Sequence, residues 1–360
     1  MKFIDRMATR WLHKRHLLDE PDNRSTGHGV DGESARKPMP HFASRAAVKS
    51  LTNAGPAARW LSGRPVGDEG WEAFSPGEGA DRVYKDSPSI TLAPKFRLPP
   101  RASIFAAGSC FAREIEWALF HAGKPVLSWT PDFPSSGNDF HRYTTHAIIN
   151  DFIFALEGGW SEENIVQAGK RFADYSGHGG FDSREEAIAA RRLVIEQHRN
   201  IIRADVLFVT LGLVEAWYDR QTQTYANTPP FGQFLGDRFE LRITDFDENH
   251  GALTRFIDTL RKHRPGLKII LTVSPVPLKE TFSGQDILVA NSYSKSVLCA
   301  VAQEICQHDP LTDYFPSYEM VMLADPKAAW FPDHRHVRRE FVAKIVSAFS
   351  AAYMGGSIFR

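Results

Sequence analysis

Residues 102–123, "ASIFAAGSCFAREIEWALFHAG", join a short apolar run to a small-residue turn and then to an amphipathic stretch. The apolar run 102–107 is typical of a buried strand, and the amphipathic stretch predicts a helix that ends at Gly123. Four apolar residues fall on one face of this helix: Phe111, Ile115, Ala118 and Leu119. The stretch therefore predicts a strand–turn–helix unit, from which α/β folds are built.

The same alternation of helix and strand recurs along the rest of the chain. In chain order we predict a helix at 183–204, a strand at 205–212, a helix at 253–267, a strand at 268–277, a helix at 286–309, a strand at 314–322 and a helix at 338–354. This alternation predicts a parallel sheet covered by helices on both faces. In such sheets, reactive groups gather at the carboxyl ends of the strands.

The first hundred residues follow a different pattern. Residues 17–45 are rich in Gly, Pro, Ser and charged residues, which is typical of a linker or a disordered arm. We expect a flexible N-terminal arm at 1–45, an irregular extension at 46–100 packed on the main domain, and the main domain at 101–355.

Composition narrows the classes of partner and the compartment. The 43 basic residues balance the 43 acidic ones, so no overall field favours nucleic acid or an anionic membrane. No apolar run approaches the ~20 residues of a spanning helix. The cysteines, Cys110, Cys299 and Cys306, form a poor disulfide framework, and we expect the last two to be packing residues. We expect a cytoplasmic protein without a nucleic-acid partner or a membrane span; its oligomeric state is left open.

Chemically capable side chains follow the first strand and precede the last helix. Gly108-Ser109-Cys110 forms the turn after the first strand, where a helix N-terminus would lower the pKa of the cysteine thiol. His336 would act as its base, with Asp333 orienting the imidazole. The structural alternative is a tight turn in which Ser109 caps the helix.

The same C-terminal segment also contains a pattern typical of metal ligands. His334 and His336 lie two residues apart beside Asp333, but no further His or Cys cluster has ligand spacing. We therefore expect no metal.

Several blocks resemble one family, in the same order along the chain. "GSCFAREIE" (108–116) resembles the signature of the GSCFA family, which is grouped with the SGNH (GDSL-like) hydrolase superfamily. The later blocks are "HRYTTHAI" (141–148), "TLGLVEAW" (210–217), "LTVSPVPL" (271–278), "NSYSKSVL" (291–298) and the D-x-x-H of residues 333–336. The resemblance spans roughly residues 100–345. It implies a three-layer α/β/α domain with a flavodoxin-like parallel sheet, plus the irregular N-terminal extension.

The resemblance also implies roles for the turn and for the D-x-x-H. Gly108 matches the glycine of the superfamily's Gly-Asp-Ser turn, Ser109 its aspartate and Cys110 its nucleophilic serine. Asp333 and His336 match the acid and base. Ser109 stays open as the alternative nucleophile.

The oxyanion-binding block departs from the superfamily pattern. Gly212 is followed by Glu215 where the pattern reads G-x-N-D, and an ionised glutamate cannot donate a hydrogen bond to an oxyanion. Glu215 would instead fix the His336 side chain or a backbone turn. The candidates for oxyanion or substrate binding are the backbone of Cys110 and Gly212, together with Gly108, Asn138, Asn291 and Ser274.

These observations predict an acyl-ester hydrolase or O-acyltransferase acting on an ester, with a carbohydrate ester as the expected substrate. No bound cofactor is expected; acyl-CoA is an optional donor, although no Gly-rich phosphate loop is present to hold it. The alternative is a non-catalytic glycan- or partner-binding module on a degenerate SGNH fold. In that case Trp60, Trp71 and Phe74 would help to grip the ligand or to bridge subunits.

Overall fold

The computed structural model describes residues 82–129, 140–177, 180–229 and 237–355. Within these ranges the strands are β1 Ile104–Gly108, β2 Ile165–Ala168, β3 Arg171–Asp174, β4 Val206–Leu211, β5 Glu215–Asp219, β6 Thr224–Ala226, β7 Phe239–Ile243, β8 Lys268–Val273 and β9 Thr312–Tyr314. The α-helices are α1 Cys110–His121, α2 Thr145–Leu156, α3 Arg184–Arg199, α4 Phe246–His263, α5 Ile287–His308, α6 Ser317–Met322, α7 Pro326–Ala329 and α8 Arg339–Met354. Short 3-10 turns lie at Glu162–Asn164 and Asn200–Arg203.

The central sheet is parallel, with the strand order β1-β4-β8-β9. Val126 extends it beyond β1 through a parallel bridge to Ile104. The Ile104 N–H donates to the Pro125 carbonyl (2.8 Å), and the Leu127 N–H donates to the Ile104 carbonyl (2.7 Å). When the strands of this sheet are numbered in chain order, with the segment at Val126 as the second, their spatial order is 2-1-3-4-5. This is the order of flavodoxin-like sheets.

Helices cover both faces of this sheet, and successive strand residues point to opposite layers. Ile104 and Ala106 of β1 pack with α1 and α8, whereas Phe105 and Ala107 pack with α2, α4 and α5. Burial on both faces explains why the strands are continuously apolar rather than alternating. The four apolar residues predicted on one face of the first helix are all buried in the first of these layers. The three-layer α/β/α prediction is confirmed.

The predicted strand at 314–322 is wrong in most of its length. β9 ends at Tyr314, and Ser317–Met322 forms the short helix α6. Phe315 still donates its N–H to the Leu271 carbonyl of β8 (2.9 Å), but Pro316 follows. Proline has no N–H for the next ladder bond, and its fixed φ suits the start of a helix.

Two small antiparallel sheets were not predicted. β2 and β3 form a hairpin between α2 and α3, and β6-β5-β7 lies between β4 and α4. Tyr175, Trp217 and Phe239 are among the buried residues of a separate apolar cluster in this part of the molecule.

Residues 82–100 lie against the last helix and the sheet edge. The Leu98 N–H donates to the Tyr353 carbonyl (2.7 Å), and Leu98 is buried in the core. Asp313 accepts hydrogen bonds from the Lys95 N–H (2.9 Å) and the Tyr353 hydroxyl (2.8 Å). The arm predicted at 1–45, and the part of the extension before residue 82, lie outside the described residues. Of the described helices, none is both long and apolar enough to cross a bilayer.

Candidate active site

The turn after β1 brings the predicted nucleophile to the carboxyl edge of the sheet. Cys110 is the first residue of α1, directly after Gly108 and Ser109. Gly108 has φ +133°, and a Cβ there would overlap the Thr210 carbonyl of β4. Only glycine fits this close approach of the two strand ends.

Ser109 and Cys110 differ in exposure. Ser109 is 3% exposed, and its Oγ has no hydrogen-bond partner among the described residues. Ser109 stands at the N-cap position of α1, but its side chain accepts no backbone N–H, so the expected side-chain cap is wrong. Cys110 keeps partial access to solvent.

An extended segment around Tyr143 crosses the ends of β1 and β4. The Arg142 N–H donates to the Gly108 carbonyl, and the Leu213 N–H donates to the Tyr143 carbonyl, both at 2.8 Å. Gly212 faces this segment so closely that a Cβ would overlap the Tyr143 carbonyl. Both candidate glycines are thus explained by close backbone packing at the site.

Asn227 holds the same segment from the other side, and sequence reasoning missed it. Its Oδ1 accepts the Tyr143 N–H (3.0 Å), and its Nδ2 donates to the carbonyls of His141 (2.7 Å) and Gly177 (3.1 Å). The buried amide therefore acts as a substitute strand partner for the backbone of the segment.

A buried ionic cluster supports Arg142 beneath the segment. Asp151 lies 2.6 Å from Arg142 Nε and 2.6 Å from Arg191 Nη2, with all three side chains at most 1% exposed. Burial alone would raise the pKa of Asp151, but the two guanidinium groups outweigh it and lower that pKa. Burial also lowers the pKa of the adjacent His198 to about 4, so this imidazole is neutral at pH 7.

The D-x-x-H forms a closed turn that fixes the imidazole. Asp333 Oδ2 lies 2.6 Å from His336 Nδ1, and Oδ1 accepts the backbone N–H groups of Arg335 and His336 (both 3.0 Å). Slight burial opposes the effect, but these hydrogen bonds lower the pKa of Asp333 to about 2. An ionised Asp333 accepts the Nδ1 proton, which leaves Nε2 of His336 with its lone pair. His334 is exposed, at the positive-φ position of the turn (φ +50°).

Two observations place this turn beside the Cys110 turn. Arg339, three residues after His336, forms an ion pair with Glu114 of α1 (3.2 Å). The charge of Arg335 also acts on the Cys110 thiol. Among the described residues, no hydrogen bond joins Cys110 Sγ to the His336 ring. The two groups therefore share one edge of the sheet without a hydrogen bond between them.

The thiol environment differs from the expectation. Burial is the largest effect and raises the pKa of Cys110, and the charge of Glu114 also raises it. The charges of Arg335 and Lys295 and the Phe111 N–H lower this pKa. The net pKa is raised, so the predicted lowering is wrong. The helix terminus reduces the cost of ionisation but does not cancel the cost of burial.

Lys295 is a second residue that sequence reasoning missed. It projects from α5 to the same edge, where it is 3% exposed and its Nζ donates to the Gly212 carbonyl (2.7 Å). Burial lowers its pKa to about 7; the thiols of Cys110 and Cys299 act to raise it, and Arg335 acts to lower it further. The block "NSYSKSVL" contained it, and a lysine among the buried residues of a helix was the available signal.

Glu215 has a structural partner rather than a catalytic one. Its carboxylate accepts the Thr281 hydroxyl (2.5 Å) and the Phe282 N–H (2.8 Å). Of the two alternatives, it fixes a backbone turn, the loop after β8, and not the His336 side chain.

The other candidates for oxyanion or substrate binding differ in their hydrogen bonds. Asn291 Oδ1 accepts the Leu278 N–H of the loop after β8 (3.1 Å). Ser274 is 1% exposed, and its Oγ lacks a hydrogen-bond partner within the described ranges. Asn138 lies outside the described residues. In the described part of the chain, no three His, Cys, Asp or Glu side chains are grouped as a metal ion would need.

The model of the GSCFA family matches residues 103–349. The chain belongs to the GSCFA family. The match runs from the residue before β1 into α8, so it contains the Cys110 turn, Lys295 and the D-x-x-H of this GSCFA protein. Among curated proteins none matches.

Some solved structures are weakly similar to this GSCFA protein. A carbohydrate esterase family 3 protein from Talaromyces cellulolyticus is 11% identical with a TM-score of 0.33, covering 69% of this chain and 95% of that one. An acetyl xylan esterase from Butyrivibrio proteoclasticus is 11% identical with a TM-score of 0.33, covering 76% of this chain and 68% of that one. A carbohydrate esterase family 2 enzyme from Corynascus thermopiles is 13% identical with a TM-score of 0.32, covering 73% of this chain and 68% of that one. Similarities this weak do not establish a shared fold or activity.

Proposed function

We propose that this GSCFA protein is an acyl-ester hydrolase or O-acyltransferase that carries the acyl group on Cys110. The observation that carries the proposal is the Asp333–His336 pair, closed at 2.6 Å and held near α1 by the Arg339–Glu114 ion pair. A carboxylate that fixes an imidazole with a free Nε2 is the base half of a nucleophile–His–Asp arrangement. A carbohydrate ester remains the expected substrate.

The proposed reaction has two steps with one covalent intermediate. Cys110 Sγ attacks the ester carbonyl carbon while His336 Nε2 takes the thiol proton. The ester C–O bond then breaks, and the proton passes to the departing alcohol, which leaves a thioester on Sγ. In the second step a water or a sugar hydroxyl attacks the thioester and gives up its proton to His336. Sγ leaves and regains that proton.

Exposure supports Cys110 over Ser109 as the nucleophile. The Ser109 hydroxyl is sealed from solvent and faces no base among the described residues, whereas the Cys110 side chain remains accessible. An approaching ester therefore meets the sulfur first. The Cys110 N–H belongs to the first turn of α1, where the helix supplies no carbonyl partner, and it is the proposed oxyanion donor.

The test combines turnover with detection of the intermediate. The protein is incubated with p-nitrophenyl acetate or an acetyl thioester, and the acyl adduct is located by intact-mass and peptide mass spectrometry. We expect the adduct on Cys110, its retention in Ser109→Ala and its loss in Cys110→Ala. Full labelling and turnover in Cys110→Ala would end the assignment.

The base is tested with a matched pair of histidines. His336→Asn is expected to reduce turnover by ~100-fold or more, because the proton acceptor is lost. His334→Asn, two residues away and exposed, is the control and should keep turnover within about twofold of the wild type. Released acetate indicates hydrolysis, and acetylated sugar in the presence of a sugar acceptor indicates transfer. No turnover and no adduct with any ester would favour the binding-module alternative.

A further inference from the structure

The outer edge of β1 is completed by side chains just before the turn that follows it. Ile104 pairs with the extended segment at Val126, which ends before it reaches the next edge-facing residue, Ala106. The Ala106 N–H donates to Ser128 Oγ (2.9 Å), and the Ala106 carbonyl accepts from Arg113 Nη2 (2.5 Å). Buried backbone groups need such partners, so two side chains take the place of a neighbouring strand here.

The hydrogen bond from Arg113 spans the turn that contains the proposed nucleophile. Ala106 belongs to β1, two residues before Gly108, and Arg113 belongs to α1, three residues after Cys110. The bond therefore joins the end of the strand to the start of the helix, with Gly108, Ser109 and Cys110 between them. It limits how far the strand end and the helix start can separate.

The start of α1 lacks the groups that usually stabilise a helix N-terminus. Its N-cap residue, Ser109, makes no side-chain hydrogen bond, and its first turn contains no acidic residue. The Ser109 N–H reaches the Thr210 carbonyl of β4 at 3.4 Å. The bond from Arg113 to Ala106 is much shorter and has a charged donor, so it holds the start of α1 to the sheet more firmly.

Glu116 orients the Arg113 side chain from the next turn of α1. Its Oε2 lies 2.7 Å from Arg113 Nη1, and both side chains are at most 7% exposed. Burial is the largest effect on Glu116 and raises its pKa, although the charge of Arg113 opposes it. Within the described ranges, Glu116 Oε1 and Arg113 Nε also lack a hydrogen-bond partner. A buried pair that is only partly satisfied contributes little to stability, so a role in geometry explains it better.

We propose that Arg113, oriented by Glu116, is a positioning residue for Cys110, whose thiol it holds half-buried at the carboxyl edge of the sheet through the bond to Ala106. Arg113 acts through the backbone of the turn, because its Nη1 and Nη2 atoms are engaged by Glu116 and Ala106. Without this bond the start of α1 can move away from β1, and the thiol gains solvent but loses its alignment with the ester. The inference rests on the proposed function only in taking Cys110 as the nucleophile.

The test removes both charges together, so that no buried charge is left unpaired. Arg113→Met/Glu116→Leu replaces the pair with apolar side chains, a change that is often neutral for stability, so we expect a Tm within about 5 °C of the wild type. The control is Glu196→Gln/Arg199→Met on α3. This pair has the same spacing and is 2.5 Å apart, and Arg199 also donates to a backbone carbonyl, that of Ala155 (3.3 Å). Both of its side chains are more than half exposed.

The first readout is alkylation by iodoacetamide near pH 8, followed by peptide mass spectrometry, which needs no ester. In Arg113→Met/Glu116→Leu we expect Cys110 to react about tenfold faster, because relief of burial by about one pKa unit raises the thiolate fraction about tenfold. Cys306 is buried and reports global opening, so it should react at the wild-type rate. The control variant should leave both rates unchanged. An unchanged Cys110 rate in the folded double variant, or an equal rise at Cys110 and Cys306, would overturn the inference.

The second readout separates kcat from KM with p-nitrophenyl acetate. A displacement of about 1 Å at a reacting atom costs about 100-fold in rate, so kcat should fall about 100-fold while KM stays within about threefold. A merely structural pair would change Tm and leave the kcat of the folded protein at the wild-type value, which would also overturn the inference. If the wild type turns over no ester, the proposed function fails, and the alkylation rates still decide this inference.

Arg113→Lys provides a second variant, should the double variant not fold. Lysine keeps the positive charge beside Glu116, but it lacks the planar fork that binds Glu116 and the Ala106 carbonyl together. We expect the same selective rise in the alkylation rate of Cys110. A wild-type rate in this variant would count against the inference.

Discussion

The buried carboxylate beneath the site provides the sharpest stability prediction. Asp151→Asn keeps the size of the side chain and removes the charge that lies 2.6 Å from both Arg142 and Arg191. With all three side chains at most 1% exposed, the variant leaves the two buried guanidinium groups with the more distant Asp174 carboxylate, 3.7 Å from Arg191 Nε, in place of the close one. Breaking a buried ion pair costs about 3–5 kcal/mol. We therefore expect a loss of roughly 4 kcal/mol in the free energy of unfolding, which corresponds to a fall in Tm of about 8–16 °C.

The measurement is denaturant unfolding together with a thermal melt, and the control is Glu196→Gln. Glu196 pairs with Arg199 at 2.5 Å, but both side chains are more than half exposed, so this pair contributes at most ~1 kcal/mol. Because the folded pKa of Asp151 is lowered, its stabilisation is complete above about pH 4 and is lost as the pH falls through the folded value. The unfolding free energies of the wild type and Asp151→Asn should therefore converge as the pH falls. A Tm for Asp151→Asn within ~2 °C of the control at pH 7 would refute the reasoning.

Three further predictions concern the site. Asp333→Asn should lower kcat by ~100-fold or more, since the amide no longer selects the Nδ1–H tautomer of its histidine partner; steady-state kinetics checks this. Lys295 binds its proton more weakly in the folded state, with a pKa of about 7, so the unfolded state holds more protons above that pH. The unfolding free energy of the wild type, relative to Lys295→Met, should rise between about pH 7 and pH 9, by up to ~1.4 kcal/mol per pH unit in denaturant titrations. Gly212→Ala should cost at least ~2 kcal/mol, because the methyl group meets the Tyr143 carbonyl, whereas Gly266→Ala, in open space, should stay within ~0.5 kcal/mol in the same titrations.

The parallel sheet was predictable because each of its long strands is a continuous apolar run followed by turn residues. β1, β4 and β8 are buried on both faces, so their composition differs clearly from that of the flanking helices. The antiparallel strands β2, β3 and β5 to β7 are three to five residues long, which is too short for a periodic pattern to stand out. α2 was missed for a related reason: its sequence "THAIINDFIFAL" contains β-branched and aromatic residues that suit either helix or strand.

The candidate site was predictable only where its chemistry is local in the sequence. Asp333 and His336 are three residues apart, and their contact follows from a single turn. Lys295 and Asn227 reach the site through the packing of α5 and of the loop after β6, which no spacing in the sequence records. The raised pKa of Cys110 has the same origin, because burial by distant residues outweighs the helix terminus.

The strap formed by residues 82–100 determines where this chain can be shortened. The family match begins at residue 103, and trimming there would remove Leu98 from the core and the Lys95 N–H from Asp313. The Tyr353 hydroxyl would remain on Asp313, but the apolar flank of α8 would face water. A chain truncated at the start of the family match would therefore expose apolar surface and tend to aggregate. A chain that starts before residue 82 would keep residues 82–100 over that surface.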